Sequence, residues 1–145
     1  MTEAIALSRE ELTTRFTGVL ERVFDIAAAD EGLSRLFGRI LGSEQSRRVH
    51  ERKVGTALAS LACGDTIDYQ KVANWHFAVG GTGKDGRPSE VEYDTVMGAI
   101  VTVASETEPL ATGQLTAHLT EEVAANLREA VVYGRVPEPL PLEQQ

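Results

Sequence analysis

Residues 8–28, with the sequence SREELTTRFTGVLERVFDIAA, decide the fold class of this chain. Ser8 is followed three residues later by Glu11, which is the pattern of a capping box at the start of a helix. Behind this start, apolar side chains recur at intervals of three and four residues and form one stripe: Leu12, Phe16, Val19, Leu20, Val23, Phe24 and Ala27. The segment therefore predicts an amphipathic helix that buries one face.

Similar stripes continue along the chain, and no alternating pattern is long enough to predict a strand. After the first helix, the stripes predict a short helix around Leu33 and a longer one from Ser46 to Ala62. The apolar face of the longer helix runs through His50, Val54 and Leu58. Three more helices follow: one from Tyr69 to about Val79, one that a capping box opens at Ser89, and a last one from Thr116 to Tyr133. Residues 109–113 are expected to end the preceding helix and to form a non-helical connection to the last one. The prediction is an all-α fold of about six to seven helices.

Length and charge indicate the number of domains and the kinds of partner that are expected. The chain has 145 residues, of which 42% are hydrophobic, and a net charge of −8. We expect a single domain over residues 1–136 and a flexible tail rich in Pro and Glu over residues 137–145. The negative charge argues against nucleic acid and anionic lipid as partners. With one cysteine, no signal-peptide pattern and no membrane-length apolar run, the expected location is the cytoplasm.

Residues 81–86, GTGKDG, match the GxGxxG pattern of dinucleotide-binding loops. The functional pattern follows a strand and opens a helix, whereas this one follows a predicted helix and precedes the helix start at Ser89. A Walker loop is excluded because Ala78 stands where its first glycine belongs and Asp85 follows Lys84. We interpret residues 80–88 as a flexible loop between helices that binds no nucleotide.

Two of the three histidines, His50 and His76, lie on apolar faces of predicted helices that follow one another. A single histidine on such a face is more often a hydrogen-bonded core residue than a ligand. Successive helices joined by a short turn fold back on each other, however, so both imidazoles can face one cleft. Two imidazoles across an apolar cleft suit an iron porphyrin and are too few for a structural zinc site.

Residues 47–53 hold four of the fourteen basic residues of this acidic chain. Either this cluster is a solvated helix face, or one or two of its cations meet the carboxylates of a bound porphyrin at the mouth of the cleft.

The order of these segments resembles the globin family, and within it the truncated haemoglobins of bacteria of the group 1 kind. Residues 30–37 resemble the segment where helix B turns into helix C, residues 92–100 the start of helix G, and residues 119–131 part of helix H. Trp75-His76-Phe77 lies where those globins place the proximal histidine. The resemblance covers about residues 15–133. It implies a globin-like helical sandwich around haem b, iron protoporphyrin IX.

The resemblance also implies roles for single residues. His76 would be the proximal iron ligand, Phe37 would pack on the haem, and Phe24 stands where helix B usually carries a tyrosine. His50 falls at or within a turn of the distal position, and Lys53 lies three residues on, where some relatives carry a second distal ligand. Whether His50 or Lys53 coordinates the iron, or the distal side is open, is undecided at this point. The expected lining of the cleft is Phe24, Phe37, Val54, Leu58, Val72, Ile100 and Val103.

The expected function is reversible binding of a diatomic gas, which is oxygen, nitric oxide or carbon monoxide. One alternative is nitric oxide dioxygenase or peroxidase chemistry, which would need a separate reductase because the chain carries no flavin or nicotinamide domain. Another alternative is a haem-free, globin-like interaction or sensor module. Enzymatic activity is not the default expectation, and the oligomeric state is open, with a homodimer as one option.

Overall fold

The structure is a computed structural model that describes residues 6–38 and 41–137. The described residues form seven α-helices, one 3₁₀ turn and one π-helical turn. In chain order the helices are α1 (Arg9–Ala29), α2 (Glu31–Leu36), α3 (Glu44–Ala62), α4 (Tyr69–Trp75), α5 (Glu90–Thr107), α6 (Pro109–His118) and α7 (Glu121–Arg128), with the 3₁₀ turn at Lys84–Gly86 and the π-turn at Glu129–Tyr133. The predicted all-α fold is confirmed, and the architecture is consistent with a globin-like one. Apart from Pro137, the tail predicted at residues 137–145 lies outside the described residues.

Among the helices that the structure describes, none is both long and apolar enough to cross a membrane.

Helix α1 is the element around which the core is built. Its start is capped as predicted, because the Ser8 Oγ accepts the backbone N–H of Glu11 at 3.1 Å. Its apolar stripe is buried along the whole helix and takes part in two clusters of buried side chains. The first cluster comprises Leu12, Phe16, Ala59, Leu61, Ala62, Ala111 and Leu115. The second cluster comprises Val19, Leu20, Val23, Phe24, Ile100, Val103 and Ala104. Helix α1 therefore joins α3 and α6 at one end to α5 at the other.

Helices α1 and α3 come into close contact where Gly55 faces Thr17. A Cβ atom at Gly55 would lie 2.8 Å from the backbone nitrogen of Thr17, which is closer than carbon and nitrogen can approach. The buried face of α3 is accordingly built from Glu51, Gly55, Ala59, Leu61 and Ala62. Small side chains on this face let the two helix backbones meet.

This geometry corrects the predicted inner face of α3. We expected His50, Val54 and Leu58 to face the core, but these three side chains are only half-buried. The inward direction is one residue further along the helix, because the contact with α1 requires small side chains. The larger apolar residues lie on the flank of α3, where Val54 and Leu58 pack against the second cluster.

Glu51 is the one charged residue on the buried face of α3, and its carboxylate is fully buried. Its two oxygens accept hydrogen bonds from Arg47 Nε and Arg48 Nη1, both at 2.9 Å. Arg47 also donates to the backbone oxygen of Glu21 at 2.8 Å and to Asp25 at 2.6 Å. A buried carboxylate is tolerated when it is paired and hydrogen-bonded in this way. Arg47 thus binds α3 to α1, and Arg48 adds an ion pair at 3.8 Å to the carboxylate of Glu21 in α1.

Helix α4 is shorter than predicted and ends at Trp75, with His76 as its C-cap (φ −103°, ψ 0°). The helix was expected to continue to about Val79, but Ala78 takes a positive φ of 52°, which a helix cannot accommodate. Trp75 and His76 therefore lie at the end of a seven-residue helix.

The loop expected at residues 80–88 is stabilised by hydrogen bonds between its own backbone groups. Gly80 donates its N–H to the oxygen of Gly86 at 3.1 Å, and Gly83 donates to the oxygen of Arg87 at 2.8 Å. A Cβ atom at Gly81 would overlap the Arg87 carbonyl, and one at Gly83 would lie 2.7 Å from its oxygen. The glycines of the GxGxxG pattern are thus explained by close packing within the loop.

Pro109 begins a helix, although the sequence suggested a break there. Helix α5 ends at Thr107, and the single residue Glu108 turns the chain (φ −138°, ψ 65°). Pro109 is then the first residue of α6, a position that suits a residue with a fixed φ and no N–H.

The predicted last helix, from Thr116 to Tyr133, is divided into two. Helix α6 ends at His118, and the Thr120 side chain accepts the N–H of Val123 to start α7. From α7 the chain continues into the π-turn, which ends at Gly134 with φ +67°.

The helix contact predicts opposite effects for two alanine substitutions. Gly55→Ala should lower the free energy of unfolding by about 1–3 kcal/mol, because the new methyl group must push the backbones of α1 and α3 apart. Gly18→Ala in α1 is the matched control, since a Cβ there meets no atom within 4 Å. It should raise the free energy of unfolding by about 0.5–1 kcal/mol through helix propensity. Urea unfolding followed by circular dichroism checks both, and equal stability of the two variants would contradict the proposed contact.

Candidate functional site

Six of the seven residues expected to line the cleft come together at the second cluster. They are contributed by α1, the end of α2, α3 and α5: Phe24, Phe37, Val54, Leu58, Ile100 and Val103. The rings of Phe24 and Phe37 have centroids 5.4 Å apart and planes tilted by 53°. Phe24, Ile100 and Val103 are buried, whereas Phe37, Val54 and Leu58 are half-buried and leave part of their apolar surface uncovered. The seventh residue, Val72, lies on α4 beside His76.

His76 is half-buried at the end of α4, and its Nδ1 lies 2.8 Å from the backbone oxygen of Val72. Because a carbonyl oxygen only accepts hydrogen bonds, Nδ1 carries the proton, and Nε2 carries the lone pair when the ring is neutral. Desolvation lowers the pKa of His76 below its usual range; the bond to Val72 opposes this shift, and the nearby charges of Arg87 and Lys53 add to it. The ring is therefore neutral near pH 7, with Nε2 available as a ligand atom.

His50 makes the same kind of bond in α3. Its Nδ1 lies 2.7 Å from the backbone oxygen of Ser46, so Nδ1 donates and Nε2 again carries the lone pair of the neutral ring. His50 is half-buried and lies one turn before Val54, which packs on the second cluster. Both histidines thus have one nitrogen fixed by a backbone carbonyl. Across residues 6–38 and 41–137, no three or more His, Cys, Asp or Glu residues are grouped to hold a metal ion.

A third feature, which the sequence analysis missed, is a pair of lysines on Trp75. The Nζ atoms of Lys53 in α3 and Lys71 in α4 lie 4.2 Å and 5.1 Å from the centroid of the indole ring. Both contacts are cation–π interactions. Neither ammonium group forms an ion pair with a carboxylate in the described part of the chain. The spacing of Lys71 and Trp75, four residues apart on a helix, is the signal that could have revealed the pair.

The basic cluster of residues 47–53 is therefore divided between two tasks. Arg47 and Arg48 bind the buried Glu51, while Lys53 extends toward α4 and the ring of Trp75. Of the cations expected at the mouth of the cleft, Lys53 lies on the ring of Trp75, and its charge helps to lower the pKa of His76.

Two open cavities on the surface lie away from the histidines. One, of about 260 Å³, is lined by residues of α1 and the start of α3, including Ala28, Leu41 and Arg47. The other, of about 420 Å³, is lined by Glu10, Glu11, Thr14, Arg15 and Glu108. The candidate site instead has two parts: His76 and Trp75 at the end of α4, which Lys53 reaches from α3, and the half-buried apolar side chains packed on the second cluster.

No protein-family model matches the chain, and no curated protein or solved structure matches it. Membership of the globin family therefore stays a prediction.

The buried imidazole predicts how stability changes with pH. The folded-state pKa of His76 is lower than the value of about 6.5 for an unperturbed histidine, so the unfolded chain takes up the proton first as the pH falls. Stability from this group is complete above about pH 6.5 and decreases as the pH falls from there through the folded-state pKa. His76→Gln should remove this part of the pH dependence. The measurements are urea unfolding at several pH values and an NMR titration of the ring protons; an unchanged pH dependence in the variant would contradict the assignment.

Proposed function

We propose that this protein binds haem b through His76 and uses the iron to bind a diatomic gas reversibly. The observation that carries the proposal is the neutral, half-buried imidazole of His76, whose Nδ1–H is bound to the Val72 carbonyl and whose Nε2 makes no hydrogen bond within the described residues. Histidines that bind metals characteristically donate their other ring N–H to a carbonyl or carboxylate in this manner. A bound haem would supply the iron and the position at which a gas coordinates.

Three further features of the fold fit a porphyrin. The second cluster presents half-buried apolar side chains, including Phe37, Val54 and Leu58, and an apolar macrocycle is stabilised by covering such surface. The imidazole of His50 offers a second nitrogen base from α3. The ammonium groups on Trp75 offer positive charge beside the apolar surface.

The two lysines on Trp75 are the groups that we assign to the porphyrin carboxylates. In a chain with a net charge of −8, an anionic ligand needs local cations that are not already neutralised. Lys53 lies close enough to His76 to lower its pKa, and Lys71 shares the same indole ring. Arg47 and Arg48, by contrast, are bound to acidic residues.

The opposite side of the haem would receive its polar group from α3. Phe24 is buried and has no hydroxyl group, so α1 offers no hydrogen-bond donor to a gas at this position. His50 carries the nitrogen base on α3, and the ammonium of Lys53 is placed on Trp75. We therefore assign the distal side to His50, whose Nε2 would bind the iron in the absence of an external ligand.

Titration of the purified protein with hemin tests the proposal. The wild type should take up one equivalent and develop a sharp Soret band, and His76→Ala should weaken hemin binding by about a hundredfold or more, since loss of even an outer-shell partner costs 10–100-fold. His118→Ala is the matched control, because His118 is exposed at the end of α6 and should leave hemin binding unchanged. Equal binding by His76→Ala and wild type would exclude His76 as the ligand. Failure of the wild type to bind would favour a haem-free module.

The spin state of the ferric protein tests the role of His50. With two imidazoles on the iron, the wild type should have a low-spin absorption spectrum at neutral pH, and His50→Ala should have a high-spin one because the sixth position loses its strong-field ligand. Absorption and electron paramagnetic resonance spectra of the two proteins provide the comparison. A wild type that is already high-spin would show that the distal side is open and that His50 does not coordinate.

A further inference from the structure

Arg87, which follows the GxGxxG loop, is a buried cation whose hydrogen-bond acceptors are backbone carbonyls, and its Cζ also lies 5.7 Å from the centroid of the Phe77 ring. Its residue exposure is 8%. One guanidinium nitrogen, Nη1, donates to the oxygen of Ala73 at 2.6 Å and to the oxygen of Ala130 at 3.3 Å. No acidic residue in the described ranges forms an ion pair with it. A buried charge of this kind is costly unless its surroundings compensate for it.

The compensation comes from the ends of two helical segments. Ala73 belongs to the last turn of α4, and Ala130 lies in the π-turn that extends α7. Each of these carbonyls already accepts one backbone N–H, from His76 at 3.3 Å and from Gly134 at 3.1 Å, and each lies where the helix dipole is negative. The guanidinium is a second donor to both oxygens. Arg87 therefore acts as a shared cap that ties the end of α4 to the end of the last helical segment.

The chain around Arg87 is shaped to receive its side chain. Gly81 and Gly83 pack against its backbone carbonyl, where a Cβ atom would collide. On the other side, Gly134 has φ +67°, and a Cβ atom there would lie 2.7 Å from Nη2 of Arg87. Gly81 and Gly83 thus leave room for the backbone of Arg87, and Gly134 leaves room for its guanidinium.

Arg87 and His76 act on neighbouring carbonyls of α4. The Val72 oxygen accepts the imidazole Nδ1–H, while the next oxygen, that of Ala73, accepts both the His76 backbone N–H at 3.3 Å and the Arg87 guanidinium. A helix of seven residues is too short to hold its last turn without outside contacts. We propose that Arg87 is a positioning residue for His76, which fixes the last turn of α4 and thereby the direction of the imidazole.

The proposal rests on the proposed function only for its effect on bound haem, so it is tested first in haem-free protein. In Arg87→Met, the His76 amide proton should exchange with solvent about tenfold faster or more, because a charge-assisted hydrogen bond to the same carbonyl is lost. Arg87→Lys should restore part of the protection, since an ammonium group keeps the charge. Arg22→Met, at an exposed position in α1, is the matched control and should exchange as the wild type does. Unchanged exchange in Arg87→Met would overturn the proposal.

The second measurement separates positioning from general support of the fold. The measurement is made in ferrous, hemin-reconstituted protein that carries His50→Ala, so that His76 is the one imidazole on the iron. In this background the iron–histidine stretching band should shift or broaden when Arg87→Met is added and return toward the band of the background protein with Arg87→Lys. An unchanged band would overturn the proposal even if the amide exchanges faster. If the wild type binds no hemin, the proposed function fails, and the imidazole Nδ1–H signal of His76 in the NMR spectrum then serves as the readout.

Gly134→Ala provides a variant that keeps the charge. Its Cβ atom would lie within 3.0 Å of Nη2, Cζ and Nε, so it should displace the whole guanidinium, including the bond to Ala73. Amide exchange at His76 should then accelerate as in Arg87→Met. This variant decides the matter if Arg87→Met does not fold, and exchange at the wild-type rate in Gly134→Ala would then overturn the proposal.

Discussion

The close contact between α1 and α3 is the constraint on which the rest of the structure depends. Gly55 allows the backbones to meet at Thr17, and Glu51 is accommodated beside them because Arg47 and Arg48 neutralise it. With Gly55 and Ala59 turned toward α1, Val54 and Leu58 lie on the flank of α3, where they pack against the second cluster. The position of the half-buried apolar side chains in the candidate site therefore follows from the close packing of α1 against α3.

Local signals predicted much of the fold, and they failed where distant contacts decide. The stripe of α1 and the cap at Ser89 were predicted correctly, because both are set by residues within a few positions of each other. The inner face of α3 was predicted wrongly, because hydrophobic periodicity places large apolar side chains inward and Gly55 and Glu51 outward. Pro109 was ambiguous for a similar reason: proline both ends helices and begins them, and only the packing of α6 on α1 and α3 distinguishes the two.

The residues of the candidate site could be predicted from the sequence, but the residue that holds the end of α4 could not. His76 and the lining residues could be chosen from helical spacing, although their role as a haem site remains a proposal. Arg87 could not be chosen, because its two carbonyl partners are 14 and 43 residues away along the chain. The adjacent GxGxxG pattern is typical of phosphate-binding loops and gives no sign of Arg87. In the structure, Gly81 and Gly83 leave room for the backbone carbonyl of Arg87.

The shared cap at Arg87 also sets an order of events during synthesis. Chains emerge from the ribosome with the N-terminal part first, so the contact of α1 with α3 can form while later helices are still being made. The surroundings of the guanidinium are incomplete until Ala130 and Gly134 have emerged. The end of α4 therefore reaches its final form after the last helical segment has been added. A cofactor that depends on His76 would accordingly be captured late, by a chain whose core is already assembled, and nascent chains arrested before Ala130 would hold it poorly.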